Sequence, residues 1–249
     1  MAVIWEKRDG DRHYEVRTAG GARRLYTNGV FHSQYNPNNP VTGNVWDLIL
    51  LPIFFYPAHE IKRVLMLGVG GGAVIQQLNY FISPEEIVGI EYDPVHIEIA
   101  ERFFNVRQEN VVLHRADAVE WLENYKGPRF DMIIDDLFGE VDGEPSRAVE
   151  VNAQWARKLF SNVNRDGMVV CNFVSPKELK GSAYIQDRLL QSRIKSAFQL
   201  SNPYYENAVG AFLGKHTTSK QLRERLHTIP LFNSPHKVSK LNYRIRQLG

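Results

Sequence analysis

The sequence predicts an α/β protein, a doubly wound and mostly parallel sheet preceded by a small β-domain. Three observations carry this. From Arg63 onward, short apolar strands alternate with segments of helical periodicity. Those strands are nearly all apolar, as expected when helices cover both faces of a parallel sheet. Residues 2–35 read differently, as short strands separated by RDGD, AGGA and TNG turn signals.

In chain order, AVIWEK, HYEVRT, RRLYTNG and VFHSQY are the N-terminal strands. NPNNPVTGN, residues 36–44, is a loop. WDLILLPIFFYP has a helical look as far as Pro52. RVLMLG, EEIVGIE, NVVLHR, FDMIID and GMVVCNF follow as sheet strands. Between them, AVIQQLNYF, PVHIEIAERFF, AVEWLENY and SRAVEVNAQWARKLF are helices. A further helix, YIQDRLLQSRIKSAF, leads into QLSNPYYENAVGAFLGKH, which reads as two strands flanking residues 204–207. Seven strands ending in an antiparallel hairpin make a Rossmann-like sheet of the methyltransferase type. The expected division is a β-strand segment over 1–45, a Rossmann-like domain over 46–215 and a basic C-terminal tail over 216–249.

The 249 residues are 43% hydrophobic and 23% charged, ordinary for a soluble globule. No apolar run approaches the roughly 18–20 residues that span a bilayer. The N-terminus has no basic stretch followed by an apolar core, so no secretory signal is expected. Cys171 is the single cysteine, which excludes an internal disulfide and points to the reducing cytoplasm. Residues 215–249 hold eight Lys/Arg and one Glu, a balance of +7; the rest holds 22 Lys/Arg and 27 Asp/Glu, a balance of −5. This asymmetry alone does not make a nucleic-acid binder. The histidines show no close-spaced pair, so no metal is expected.

VLMLGVGGGAVIQQL, residues 64–78, is a strand, a glycine turn and the start of a helix. Gly68, Gly70 and Gly72 let a ligand approach the backbone closely. Glu91 ends the next strand, where a carboxylate can accept both hydroxyls of a ribose. This much suits a dinucleotide or an adenosyl-sulfonium. Three features favour the sulfonium. About sixty residues precede the turn. Asp117-Ala118 follows the third strand, where a carboxylate can accept from an adenine amino group. Asp135-Asp136 ends the fourth, acidic where a cationic donor would lie.

Together these residues resemble the polyamine aminopropyltransferase (spermidine synthase) family of the class I S-adenosylmethionine-dependent methyltransferase superfamily. That family shows GGGDGG after a strand, E-x-D-P after strand two, D-A after strand three and Y/F-D-x-I-I-x-D-S-S/T-D after strand four. Here they stand as GVGGGA, EYDP, DA and FDMIIDDLFG. LYTNGVFHSQ resembles its L-x-L-D-G-x-x-Q, and NPYYENAVGAF its P-T-Y-P-S-G-x-I-G-F, so the likeness spans roughly residues 15–214. The resemblance implies S-adenosylmethionine or its decarboxylated form as donor, a small-molecule amine as acceptor and a homodimer. It implies that Asp136 binds and deprotonates the acceptor and that Tyr204 orients it.

The acceptor side departs from the family pattern. The acidic residue of the glycine motif falls on Gly71, and the second Asp of the catalytic loop on Gly139, with Glu140 alongside. The motif Gln falls on His32, and the Tyr before the acidic helix residue on Val45, beside Trp46 and Asp47. Putrescine is therefore expected to be a poor substrate. Aminopropyl and methyl transfer both remain open. Two other readings stand beside them: a non-catalytic adenosyl-binding protein, and a NAD(P)-dependent oxidoreductase, for which no Tyr-x-x-x-Lys set is present.

Overall fold

The computed structural model describes residues 1–141, 144–233 and 241–248. Strands β1 (Ala2–Asp9), β2 (Arg12–Ala19), β3 (Ala22–Thr27) and β4 (Val30–Tyr35) form an antiparallel sheet in that order. Asn28 and Gly29 both have positive φ between β3 and β4. That is the turn chemistry whose twist matches a two-stranded hairpin. Helix α1 (Val45–Leu50) tightens into a 3-10 turn over Leu51–Phe55, where Pro52 cannot donate a helical hydrogen bond.

The main domain then alternates: β5 (Arg63–Leu67), α2 (Ala73–Phe81), β6 (Glu86–Glu91), α3 (Pro94–Phe103), β7 (Val111–Arg115), α4 (Ala118–Asn124) and β8 (Phe130–Asp135). A hairpin of β9 (Phe138–Val141) and β10 (Glu144–Arg147) precedes α5 (Ala153–Ser161) and β11 (Val163–Phe173). Short helices α6 (Pro176–Gly181), α7 (Ala183–Gln186) and α8 (Arg188–Arg193) lead to β12 (Ser196–Ser201) and β13 (Ala208–Leu213). Helices α9 (Ser219–Thr228) and α10 (Pro230–Asn233) and strand β14 (Arg244–Leu248) complete the described chain.

The large sheet has the order β14-β12-β13-β11-β8-β5-β6-β7. β5 pairs parallel with β6 and β8, and β11 pairs parallel with β8, while β13 runs antiparallel to β11 and β12. Side chains alternate across it. Val64, Met66, Met132 and Ile134 enter one core, whereas Leu65, Leu67, Ile133 and Val169 enter the other. Each such buried side chain contributes about 1.5–3 kcal/mol, so the two faces hold the strand ends rigidly.

Several elements differ from expectation. The helix expected from Ser146 begins at Ala153, because the Asn152 side chain caps it by accepting from Trp155 N, while Ser146 and Arg147 pair with Gly139 and Phe138. The helix expected through Phe198 ends at Arg193; residues 196–201 bury alternate side chains and pair with β13 instead. Helix α6 follows a Ser175 cap and a Pro at its first turn. The expected tail contains α9, closed by a capping box between Thr218 and Gln221, and β14, which adds an eighth strand beside β12. Residues 234–240 and 249 of that tail lie outside the described residues. No helix among the described residues is long and apolar enough to cross a membrane.

Candidate active site

The carboxyl ends of β5, β6, β8 and β11 converge, and the glycine turn sits among them. Gly68 has φ +81°, and a Cβ there would be driven into the Asp136 carbonyl. Only glycine allows the two strand ends to touch. Backbone bonds lock the join: Gly68 N donates to Ile90 O and Asp136 N to Leu67 O, both at 2.9 Å. Gly72, φ +80°, is the N-cap of α2. Gly70 lies beneath the His32 carbonyl of β4.

Glu91 reaches across to the turn. Its Oε2 accepts from Val69 N and Gly70 N at 2.9 and 2.8 Å, and its Oε1 accepts from Asp93 N at 2.9 Å. A carboxylate has about four acceptor sites. Three are taken, leaving one on Oε1 where the sequence suggested both ribose hydroxyls. His96 Nδ1 stands 3.9 Å from the same oxygen, and its Nε2 is 2.8 Å from the Thr27 hydroxyl. Asp93 accepts from Tyr14 and Arg12, each at 2.7 Å, tying the N-terminal sheet to α3. His32, 5.1 Å from the His96 ring, is pushed down to about 4 by burial and by His96.

Asp117 caps α4: its Oδ1 accepts from Val119 N and Glu120 N. Its Oδ2 has no protein partner among the described residues, and Asp117 as a residue is exposed; Ala118 is the first residue of the helix.

The Asp135-Asp136 pair divides. Asp135 is 0% exposed, and both its oxygens are 2.9 Å from Arg147 Nη2. Its Oδ2 also accepts from Trp155 Nε1 and the Cys171 thiol. It is a neutralised member of the core. Asp136 is partly exposed and accepts from Asn172 Nδ2 at 2.8 Å. Asn207 Nδ2 supports Asn172 at 3.2 Å. Burial pushes the Asp136 carboxyl up to about 6, with Asp135 and Glu91 adding to it and Asn172 and Arg147 opposing. Tyr204 is 76% exposed and its hydroxyl has no hydrogen bond among the described residues; neighbouring Tyr205 bonds Asn44.

On the acceptor side, a Cβ at Gly71 would lie 2.8 Å from Ser33 Cβ and 2.9 Å from Phe104 Cε1. β4 and the end of α3 fill the space of an acidic side chain there. At Gly139 an added Cβ would meet nothing within 4 Å among the described residues. The side chain of Glu140 lies outside the described residues. The Asp47 carboxylate is used internally, accepting from Thr42, Gly43 and Gln77. Asn172, next to last in a recognisable strand that pairs with β8, meets Asp136 and was findable by position. Arg147 was hidden in a stretch that reads as helix.

A glycine turn at a strand–helix join, a carboxylate at the end of the next strand and a second just past the fourth define a methyltransferase-type α/β domain with acidic strand ends. Residues 47–221 match the spermine/spermidine synthase domain, and the chain belongs to that family. The polyamine aminopropyltransferase of Vibrio vulnificus (strain CMCP6) is 31% identical over 136 residues, 53% of this chain and 44% of its own. The matched stretches span less than half the length of the first curated relatives. A probable spermidine synthase from Corynebacterium glutamicum ATCC 13032 shares the fold with a TM-score of 0.74, at 12% identity over 99% of this chain and 91% of that one. Human methyltransferase-like protein 13, solved in complex with SAH, superposes with a TM-score of 0.53, at 19% identity over 73% of this chain and 86% of that one.

Proposed function

We propose that the chain is a spermidine synthase-like transferase that takes S-adenosylmethionine or its decarboxylated form as donor and an amine as acceptor. The observation that carries this reading is the pair of carboxylates, Glu91 and Asp136, set on strand ends that meet at Gly68. The residues fit such a donor. Glu91 Oε1 would accept a hydrogen bond from a ribose hydroxyl and Asp117 Oδ2 one from an adenine amino group, and Gly68, Gly70 and Gly72 place no side chain at three positions of the turn. A sulfonium donor supplies an electrophilic carbon and a neutral thioether leaving group.

The protein's own work is orientation and proton removal. Asp136, held by Asn172, receives the acceptor's N–H and takes its proton as the nitrogen attacks. With its carboxyl near 6, Asp136 is ionised at neutral pH and still basic enough to serve. Tyr204, at the solvent edge, orients the acceptor as it enters. The acceptor side is eroded. A dicationic diamine needs a carboxylate at its far ammonium, and Gly71 and Gly139 offer none. Each missing charge-assisted bond costs about 1.5–3 kcal/mol, so putrescine is a poor substrate, and a monoamine or a larger amine remains open as acceptor. The homodimer belongs to the same proposal, since β1 forms an edge of the N-terminal sheet; so does the cytoplasm as compartment.

The filled space at Gly71 favours one second reading, an adenosyl-binding protein without transfer activity. Titration with S-adenosylmethionine, its decarboxylated form, methylthioadenosine and NAD separates the readings. Tight methylthioadenosine binding with amine-dependent transfer, lost in Asp136→Asn, is the expected result. NAD binding in preference to all adenosyl-sulfur ligands would overturn the proposal. Binding without any transfer selects the second reading. A monomer mass in solution scattering would overturn the dimer.

A further inference from the structure

We propose that Arg147 is a positioning residue: its buried guanidinium clamps the two strand ends that bring Asp136 and Asn172 together. This rests on the reading of Asp136 as the group that takes the acceptor's proton.

The Arg147 side chain is 4% exposed. Nη2 bonds both oxygens of Asp135, the residue before Asp136. Nη1 donates to the Asn172 carbonyl at 2.5 Å, and Asn172 is the residue whose side chain donates to Asp136. Nε donates to Val149 O at 3.1 Å, and the Phe138 and Phe173 rings flank the group at 5.8 and 5.9 Å. One planar fork thus holds the end of β8, the end of β11 and the chain leaving β10. The hairpin closes the other side, since Arg147 pairs with Phe138 and Ala148 N donates to Leu137 O at 2.9 Å. Asp136 therefore sits between a neighbour gripped by the Arg147 side chain and two neighbours tied to the Arg147–Ala148 backbone. A lysine keeps the charge but has no fork to reach both strand ends at once.

The groups around the Asp136 carboxyl are Asp135 and Glu91, which disfavour its charge, and Arg147 and Asn172, which favour it. If the clamp loosens, Asn172 no longer meets the carboxylate squarely. A donor to the ionised form is lost, and Asp136 titrates higher.

The test follows the Asp136 carboxyl by carbon NMR against pH, assigned with Asp136→Asn. It compares wild type, Arg147→Lys and the double variant Asp135→Leu/Arg147→Met. The double variant removes a buried ion pair together, which folded proteins tolerate better than an orphaned charge. We expect the midpoint to rise by about one unit in both variants and the Asn172 side-chain amide resonances to move. We also expect kcat to fall about tenfold or more with methylthioadenosine affinity unchanged. Folded variants that keep the wild-type midpoint and Asn172 resonances would overturn the clamp. The titration needs no turnover. An inactive wild type whose variants shift the midpoint sinks the transferase reading and leaves the clamp standing. An active wild type whose variants keep both midpoint and kcat does the reverse.

Discussion

The two halves of the candidate site are built in opposite ways. The half around Glu91 is local: one turn, one strand and one carboxylate, joined by backbone amides of residues 69, 70 and 93 that donate to the Glu91 side chain. The half around Asp136 is assembled from distant pieces, with Asn172 and Asn207 in line behind it and Arg147 beneath. A local arrangement survives loss of a distant partner. An assembled one does not, because each member is positioned by groups far away in sequence.

The strongest way to break the comparison is at Gly68, where the halves touch. Gly68→Ala forces a Cβ into the Asp136 carbonyl at a backbone conformation only glycine takes freely. It should lower stability by about 3 kcal/mol or more, read in denaturant unfolding, and abolish ligand binding. Next, Asp136→Asn should lower the transfer rate by about 10²–10⁴-fold while methylthioadenosine affinity, measured by calorimetry, stays within error. Equal loss of binding would mean that the halves are not separable.

Glu91→Ala attacks the local half. Three backbone amides lose their acceptor, so affinity for methylthioadenosine should disappear and stability should fall by about 1–3 kcal/mol, with the fold retained by circular dichroism. Unchanged affinity would remove Glu91 from the site. Gly71→Asp is milder. Its side chain must displace Ser33 and Phe104, a cost of about 1–3 kcal/mol, and it should not restore putrescine turnover.

The smallest effect is in pH. The Asp136 carboxyl sits higher when folded, at about 6, so its contribution to stability is present below about pH 4 and is lost as pH rises through 6. His32 runs the other way. Its folded value near 4 lies below the ordinary one, so stability is lost as pH falls from about 6.5 toward 4. In wild type the two offset between about pH 4 and 6. Asp136→Asn leaves His32 unopposed, so its melting temperature should drop more steeply on acidification from about pH 7 to 5 than that of wild type. Parallel curves would show that Asp136 is not the group that titrates high.

What was legible in the sequence was whatever depends on near neighbours. Apolar strand runs, the Asn28-Gly29 turn, the glycines after β5 and the acidic ends of β6 and β8 each declare themselves within a few residues. The β9–β10 hairpin, the strand character of residues 196–198 and the eighth strand were not legible. Their conformation is chosen by a pairing partner, and without it RIRQL and EPSR carry too little pattern. Asp135 and Asp136 make the point most sharply. By sequence they are one acidic pair. Strand alternation sends the first into the core, where Arg147, twelve residues on, neutralises it, and leaves the second at the strand end, where Asn172 meets it. Sequence determined that two carboxylates stand at the end of β8. Only tertiary structure decided which of them is free to act, because an ion's role depends on what surrounds it after the chain has closed.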